Sequence, residues 1–131
     1  MSDHREHVFV YGTLRRGGSN HFRMAGADLV TPGTVSGKLY RISWYPGLVL
    51  GPDGRVLGEV YAVGDEQLRA LDEFEGVSAE EKGSEYRRVK AVVTAPDGTT
   101  LDAWVWEWIG LVDESRVVGE GDWLLAEPGS E

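Results

Sequence analysis

The sequence predicts an α+β fold in which a small, mostly antiparallel β-barrel carries short flanking helices. Runs of β-branched and aromatic residues recur along the chain, and the turns Gly-Pro-Asp-Gly at 51–54 and Ala-Pro-Asp-Gly at 95–98 each lie between two such runs. One clearly amphipathic segment, at 65–74, predicts the best helix. Many strands with few helices favour a barrel with helices at its rim.

The strands follow from apolar runs bounded by turn residues. We expect the two turns to form hairpins, the first joining 47–50 to 56–63 and the second joining 87–94 to 99–108. Both alternating faces of the last run are apolar, so this strand is expected to be buried on both sides. The predicted strands are 7–11, 34–42, 47–50, 56–63, 86–94 and 100–108.

The helices are fewer and shorter. Leu68, Leu71 and Phe74 recur at helical spacing, with Asp65 as N-cap and Gly76 as the stop. A second, weaker helix is expected over 20–27. The tail at 114–123 has no clear pattern, although its Asp122-Trp123 pair is suited to dock back on the body.

Composition limits the function. The 131 residues, expected to form a single domain over 1–131, are 41% hydrophobic, contain no cysteine and carry a net charge of −9. This charge argues against a nucleic-acid partner, and the absence of cysteine excludes disulfides and a cysteine nucleophile. No apolar run is long enough to span a membrane and residues 1–7 do not resemble a signal peptide, so we expect a cytoplasmic protein.

The segment 8–21, Val-Phe-Val-Tyr-Gly-Thr-Leu-Arg-Arg-Gly-Gly-Ser-Asn-His, contains the first candidate site. A buried strand ends here in a glycine-containing turn, and successive free backbone amides in such a turn can bind an anionic or carbonyl oxygen. The histidines lack metal-ligand spacing, and neither a serine-hydrolase elbow nor a phosphate-binding P-loop is present. We therefore expect no metal site.

Acidic residues provide the candidate proton carrier. Asp72, Glu73 and Glu75 crowd the end of the predicted helix, and partial burial beside Phe74 would raise the pKa of the Glu75 carboxyl. The alternative is a solvated acidic helix face. Glu59 is either an outward-facing strand residue or, with Glu75, a carboxylate pair of the glycosidase kind.

Several segments occur in the order seen in the γ-glutamylcyclotransferase-like family. The chain resembles this family over positions 8–108, and most closely its γ-glutamylamine cyclotransferase branch. Two of the segments, Tyr-Gly-Thr-Leu and Leu-Asp-Glu-Phe-Glu, are specific in combination. The matching segments are 8–21, 45–46, 58–63, 71–76 and 86–88.

The resemblance implies a compact barrel whose activity is the cyclisation of a γ-glutamyl amide to 5-oxoproline without a cofactor. Glu75 matches the family's catalytic acid, and the backbone of Tyr11, Gly12, Thr13 and Leu14 matches the loop that holds the γ-glutamyl group. Tyr45 and Tyr86 are the further expected substrate-binding residues. The expected partner is thus a small-molecule γ-glutamyl conjugate.

One segment departs from the pattern of the branch. Residues 77–85 are longer and more acidic than expected, and an acidic site mouth would favour a cationic leaving amine. The alternative function is a non-catalytic binding or docking module on the same fold, in which Glu75 contacts a ligand without chemistry.

Overall fold

The computed structural model of the protein describes residues 5–18, 20–42, 45–75, 86–118 and 121–123, apart from the side chain of Glu75. The predicted stop at Gly76 and the acidic segment 77–85 lie outside these residues. No helix in the described ranges is long and apolar enough to cross a membrane.

Five strands form a closed barrel, which confirms the predicted fold class. Strand β1 pairs antiparallel with β3, β3 with β2, β2 with β4, and β4 with β5. Single parallel pairings of β5 with β1 and with β3 close the barrel. The strands are β1 (Glu6–Val10), β2 (Asp28–Arg41), β3 (Pro46–Val63), β4 (Tyr86–Thr94) and β5 (Thr100–Trp108).

The first predicted hairpin is wrong, and so is the sixth strand that it implied. Residues 47–50 and 56–63 belong to one strand, β3, and both parts run antiparallel to β2. The register moves from Ser36–Arg55 directly to Gly37–Leu50, so the Gly-Pro-Asp-Gly segment at 51–54 is an insertion within β3. A turn signal shows that the chain leaves the regular strand, but it does not show whether the chain then reverses.

The second predicted hairpin is confirmed. Strands β4 and β5 pair in register from Tyr86–Trp108 to Thr94–Thr100. Their turn is closed by hydrogen bonds from the N–H of Ala95 to Thr99 O, at 2.8 Å, and from the N–H of Gly98 to Ala95 O, at 2.9 Å. Here the turn residues and the flanking alternation predict the same structure.

The helix α1 (Asp65–Glu75) is found where it was predicted. Its first backbone hydrogen bond runs from the N–H of Leu68 to Gly64 O, at 2.9 Å, so the capping position is Gly64 rather than Asp65. Instead of the predicted helix over 20–27, the chain has one 3-10 turn at His21–Met24 and then enters β2, six residues earlier than predicted.

Alternation along the strands divides the core into two layers. Phe9, Val105 and Trp123 belong to the cluster inside the barrel, and Val8, Leu71 and Trp106 to the cluster beneath α1. The neighbours Val105 and Trp106 are both buried, which confirms the prediction that β5 is covered on both sides. The buried Trp123 also confirms that the tail docks back on the barrel.

Candidate functional site

The first part of the site is the loop that follows β1, called here the site loop (residues 11–18). A bond of 3.0 Å from the N–H of Arg15 to Gly12 O forms its first turn, and one of 2.7 Å from the N–H of Gly18 to Arg15 O forms its second. Asn20 then closes the loop on Thr13, donating its backbone N–H to Thr13 O at 2.9 Å and its side-chain Nδ2 to Thr13 Oγ1 at 3.1 Å. The loop therefore keeps its shape without strand pairing.

The backbone donors of this loop are available for a ligand. Within the described ranges, the N–H groups of Gly12, Thr13 and Leu14 donate to no protein acceptor. Thr13 and Leu14 are nevertheless buried. Unpaired backbone donors at a buried position are costly unless a ligand or water satisfies them. The site loop can therefore bind a carboxylate or carbonyl oxygen.

The side chain of Tyr11 packs inside the barrel and is hydrogen-bonded to two strands. Its hydroxyl donates to Trp106 O at 2.7 Å and accepts from the N–H of Leu48 at 3.3 Å. The ring packs in the cluster inside the barrel. Tyr11 therefore anchors the start of the site loop to the barrel wall.

Tyr45 and Tyr86, far apart in the sequence, lie together beside the site loop. Their ring centroids are 6.4 Å apart, and Tyr86 also meets Trp108 edge-on at 5.1 Å. The Tyr86 hydroxyl donates to Pro46 O at 2.6 Å. A Cβ added at Gly12 would lie 2.7 Å from Pro46 Cγ, so the proline ring packs directly on the site loop.

The acidic end of α1 is docked on the barrel rather than solvated as a whole. Asp72 Oδ1 accepts from Trp106 Nε1 at 2.8 Å and lies 3.1 Å from Arg88 Nε, whereas Glu73 is exposed. The helical backbone continues to Glu75, three residues beyond Asp72, and positions three apart share a helix face. The position of Glu75 is thus on the docked face of α1.

Glu59 lies on the outer face of β3, but it is largely buried there and is not a free carboxylate. Its Oε1 accepts from the N–H of Arg16 at 2.8 Å and from the Tyr61 hydroxyl at 3.0 Å, and its Oε2 lies 3.4 Å from Arg15 Nε. Burial, followed by the hydrogen bond and charge of Glu59, raises the pKa of Tyr61 to about 12. A carboxylate held in this way is a poor choice for the acid or base of a glycosidase, so the paired-carboxylate alternative loses support.

Sequence reasoning missed several of these contacts. Arg15 and Asn20 lie within the segment 8–21, but nothing in their spacing indicates which residues they bind. His21 Nδ1 lies 2.9 Å from Leu14 O, and because a carbonyl only accepts, this nitrogen carries the proton. The only sequence signal for these contacts was that polar residues follow the glycine-containing turn directly, where their side chains can bind other parts of the chain.

Known proteins resemble this chain over most of its length. The family described as "Gamma-glutamyl cyclotransferase, AIG2-like" matches residues 8–125. The "Gamma-glutamylcyclotransferase family protein YtfP" of Escherichia coli strain K12 is 34% identical over 118 residues, covering 89% of this chain and 95% of that protein. The "Gamma-glutamylaminecyclotransferase" of Rattus norvegicus is 35% identical over 117 residues, covering 79% and 67%.

A solved structure agrees with the fold. The crystal structure of an AIG2-like protein from Mus musculus superposes with a TM-score of 0.73 at 30% identity, covering 85% of this chain and 82% of that one. The same barrel and the same order of elements therefore occur in a protein of related sequence.

Proposed function

Because this chain belongs to the AIG2-like gamma-glutamyl cyclotransferase family, we propose that it cleaves a γ-glutamyl amide by intramolecular attack of the α-amine. The products are 5-oxoproline and a free amine, and no cofactor takes part. The observation that carries the assignment is the site loop, with three consecutive backbone N–H groups that have no acceptor among the described residues.

The oxygen groups of the substrate suit the N–H donors of this loop. A γ-glutamyl amide carries an α-carboxylate and a γ-carbonyl, and backbone donors in a loop stabilise either oxygen group. The packing of Pro46 against Gly12 and the ring contact between Tyr45 and Tyr86 provide a wall beside these donors. Holding amine and carbonyl in one pocket makes the attack unimolecular and lowers its entropic barrier.

Glu75 is the proposed proton carrier. It takes a proton from the α-ammonium group, whose pKa of about 8 in reference peptides is close enough to neutrality for this transfer. The freed amine attacks the γ-carbonyl carbon, the site-loop amides stabilise the oxyanion, and Glu75 returns the proton to the leaving nitrogen as the amide C–N bond breaks. The second proton that the α-nitrogen loses on ring closure goes to water, and the released amine takes one up from water, so the products are a lactam and an ammonium ion.

The leaving group is proposed to be an amine, as in the branch that the sequence resembles. The name of the rat relative supports an amine substrate for that protein. The net charge of −9 favours a leaving amine that is itself cationic.

The test compares Glu75→Gln with Glu73→Gln, the same change two residues away at an exposed position. We expect Glu75→Gln to abolish 5-oxoproline release from γ-glutamyl conjugates and Glu73→Gln to retain it. Turnover by Glu75→Gln would refute the role of Glu75. Saturable binding of the conjugates by the unmodified protein, without product, would favour the docking module instead.

A panel of conjugates tests the leaving group separately. The γ-glutamyl amides of lysine, of a polyamine and of a neutral amino acid are assayed at equal concentration for 5-oxoproline. We expect the cationic conjugates to give the highest kcat/KM. The fastest turnover with the neutral conjugate would overturn the proposed preference and leave the chemistry of Glu75 untouched.

A further inference from the structure

A nearly buried carboxylate lies beneath the site loop. Glu59 projects from β3 with 12% of its side chain exposed, and Arg15 is equally buried. The two oxygens of Glu59 contact consecutive residues of the site loop, the backbone N–H of Arg16 at 2.8 Å and Nε of Arg15 at 3.4 Å. Glu59 therefore fixes both the backbone and a side chain of the loop to the barrel.

A second carboxylate holds the same arginine from a distant part of the chain. Arg15 Nη1 donates to Asp122 Oδ1 at 2.7 Å. The segment that contains Asp122 is itself tied to the barrel, since the N–H of Leu57 donates to Gly121 O at 2.8 Å and the N–H of Val118 to Leu39 O at 2.7 Å. The Arg15 guanidinium thus lies between two fixed carboxylates.

Stability alone is a weak reason for this arrangement. Bringing charges out of water is costly, and well-packed apolar residues often stabilise a fold as well as a buried ion cluster does. Charged hydrogen bonds define the local geometry better than apolar packing does, because their donors and acceptors must align. The site loop is the segment that needs such a constraint, since it lies outside the strands of the barrel.

We propose that Glu59 and Asp122 are positioning residues, which orient the Gly12–Leu14 amides toward the reacting carbonyl by holding Arg15 and the Arg16 backbone. The catalytic significance of this role rests on the proposed cyclotransferase function. Amide donors stabilise an oxyanion only within about 2.7–3.1 Å of its oxygen. A loop displaced by about 1 Å would lose on the order of 100-fold in rate.

Glu107 of β5 offers a matched control. Glu107 is similarly buried, accepts from the N–H of Leu50 at 2.9 Å and pairs with Arg87 at 3.1 Å. Like Glu59, it accepts from one backbone amide and one arginine, without a contact to the site loop among the described residues. Glu59 accepts in addition from the Tyr61 hydroxyl, and Arg87 is more exposed than Arg15. Glu59→Gln and Glu107→Gln remove equivalent charges.

The kinetic test measures kcat and KM for both variants with one γ-glutamyl conjugate. We expect Glu59→Gln to lower kcat by about 10- to 100-fold with KM within a few-fold, and Glu107→Gln to keep both within about twofold. Urea midpoints for the two variants are expected to fall by similar amounts. Equal kcat losses in the two variants would reduce Glu59 to a structural residue and overturn the inference.

Amide hydrogen exchange tests the positioning role without relying on activity. In Glu59→Gln we expect faster exchange at the Arg16 amide and shifted resonances at Gly12–Leu14, whereas Glu107→Gln changes the Leu50 amide. An unchanged site loop in Glu59→Gln would overturn the inference even if the enzyme assignment holds. A failure of the proposed function would appear instead as binding of the conjugates by the unmodified protein without release of 5-oxoproline, and the exchange result would still decide the role of Glu59 in the loop.

Asp122→Asn gives a second variant should Glu59→Gln fail to fold. It leaves Glu59 in place and weakens the outer contact to Arg15. We expect it to lower kcat in the same direction as Glu59→Gln, by a smaller factor, with a similar shift at Gly12–Leu14. Wild-type kcat together with wild-type resonances would contradict the role of Asp122.

Discussion

Trp106 of β5 and Asp72 of α1 are joined by a hydrogen bond of 2.8 Å from the indole Nε1 to a carboxylate oxygen. The indole is 1% exposed, and Arg88 of β4 lies 3.1 Å from the same oxygen. This contact fixes the last turn of the helix against two strands. The position of Glu75, one turn further along α1, is therefore defined by the packing of Asp72.

Replacing Asp72 by alanine is expected to destabilise the protein. The Trp106 N–H would be left buried without an acceptor, which costs about 1–3 kcal/mol of unfolding free energy. Urea denaturation of Asp72→Ala and of Glu73→Ala measures the effect, and the change at the exposed Glu73 should stay within about 0.5 kcal/mol. Equal stabilities of the two variants would show that the indole contact does not hold the helix.

Gly18→Ala should impair activity more than it impairs folding. A Cβ at this position would lie 2.4 Å from Thr13 O, a backbone atom of the site loop, so the loop itself must move. Gly51 is the matched control, because a Cβ there meets nothing within 4 Å. We expect kcat/KM for 5-oxoproline release to fall at least about tenfold in Gly18→Ala, from a displacement of loop donors. Wild-type kinetics in Gly18→Ala would show that loop geometry is not critical.

The raised pKa of Tyr61 predicts that the free energy of unfolding decreases at alkaline pH. Its pKa is raised to about 12 in the folded protein, whereas an unfolded tyrosine titrates near 10. The neutral phenol is therefore favoured by folding, so its contribution is fully present below about pH 10 and is lost as the pH rises through 10 toward 12.

Urea titrations between pH 8 and pH 12 measure this loss. Tyr61→Phe should flatten the alkaline decline, because it removes the titrating group. Tyr40→Phe is the comparison: burial and then Glu114 raise the pKa of Tyr40 too, but Tyr61 remains in that variant. A decline that is as steep in Tyr61→Phe as in the wild type would assign the alkaline effect to other groups.

Tyr86→Phe should weaken the wall beside the site loop. The variant keeps the ring contact with Trp108 but loses the 2.6 Å hydrogen bond to Pro46 O. A hydrogen bond of this kind contributes about 1 kcal/mol, so kcat/KM is expected to fall about fivefold as Pro46 relaxes away from Gly12. Tyr40→Phe, which removes a hydroxyl bound to Glu114, should leave kcat/KM unchanged. An equal loss of kcat/KM in Tyr86→Phe and Tyr40→Phe would show that the loss comes from lower overall stability and not from the wall beside the site loop.

The sequence predictions were accurate where the structure depends on residues that are close together in the chain. The helix over 65–74 and the hairpin at 95–98 were correct, because helical periodicity and turn residues each lie within a short stretch, although the cap is Gly64 rather than Asp65. The segment at 51–54 has the same turn residues and yet is an insertion within β3, since β2 pairs with the chain on both sides of it. The run over 20–27 forms only one 3-10 turn, and the chain then turns at Gly26, which has a positive φ, before β2 begins.

The site was predicted in the same uneven way. Gly12, Thr13 and Leu14 were placed correctly in an amide-lined loop, and Tyr45 and Tyr86 do lie next to one another. The role expected for Tyr11 is that of its backbone and stays a prediction, while its hydroxyl bonds to Trp106 O and to the N–H of Leu48. The catalytic role of Glu75 stays a prediction, and the acidic segment 77–85 lies outside the described residues.

The amino-acid sequence was enough to identify the family, the glycine-containing loop after the first strand and a helix over 65–74, because each depends on contiguous residues. What holds the site loop depends on contacts between residues that are far apart in the chain. Arg15 meets Glu59 and Asp122 across separations of 44 and 107 residues. Closure of the barrel brings these charges together, and neither periodicity nor spacing carries information about which distant strands become neighbours.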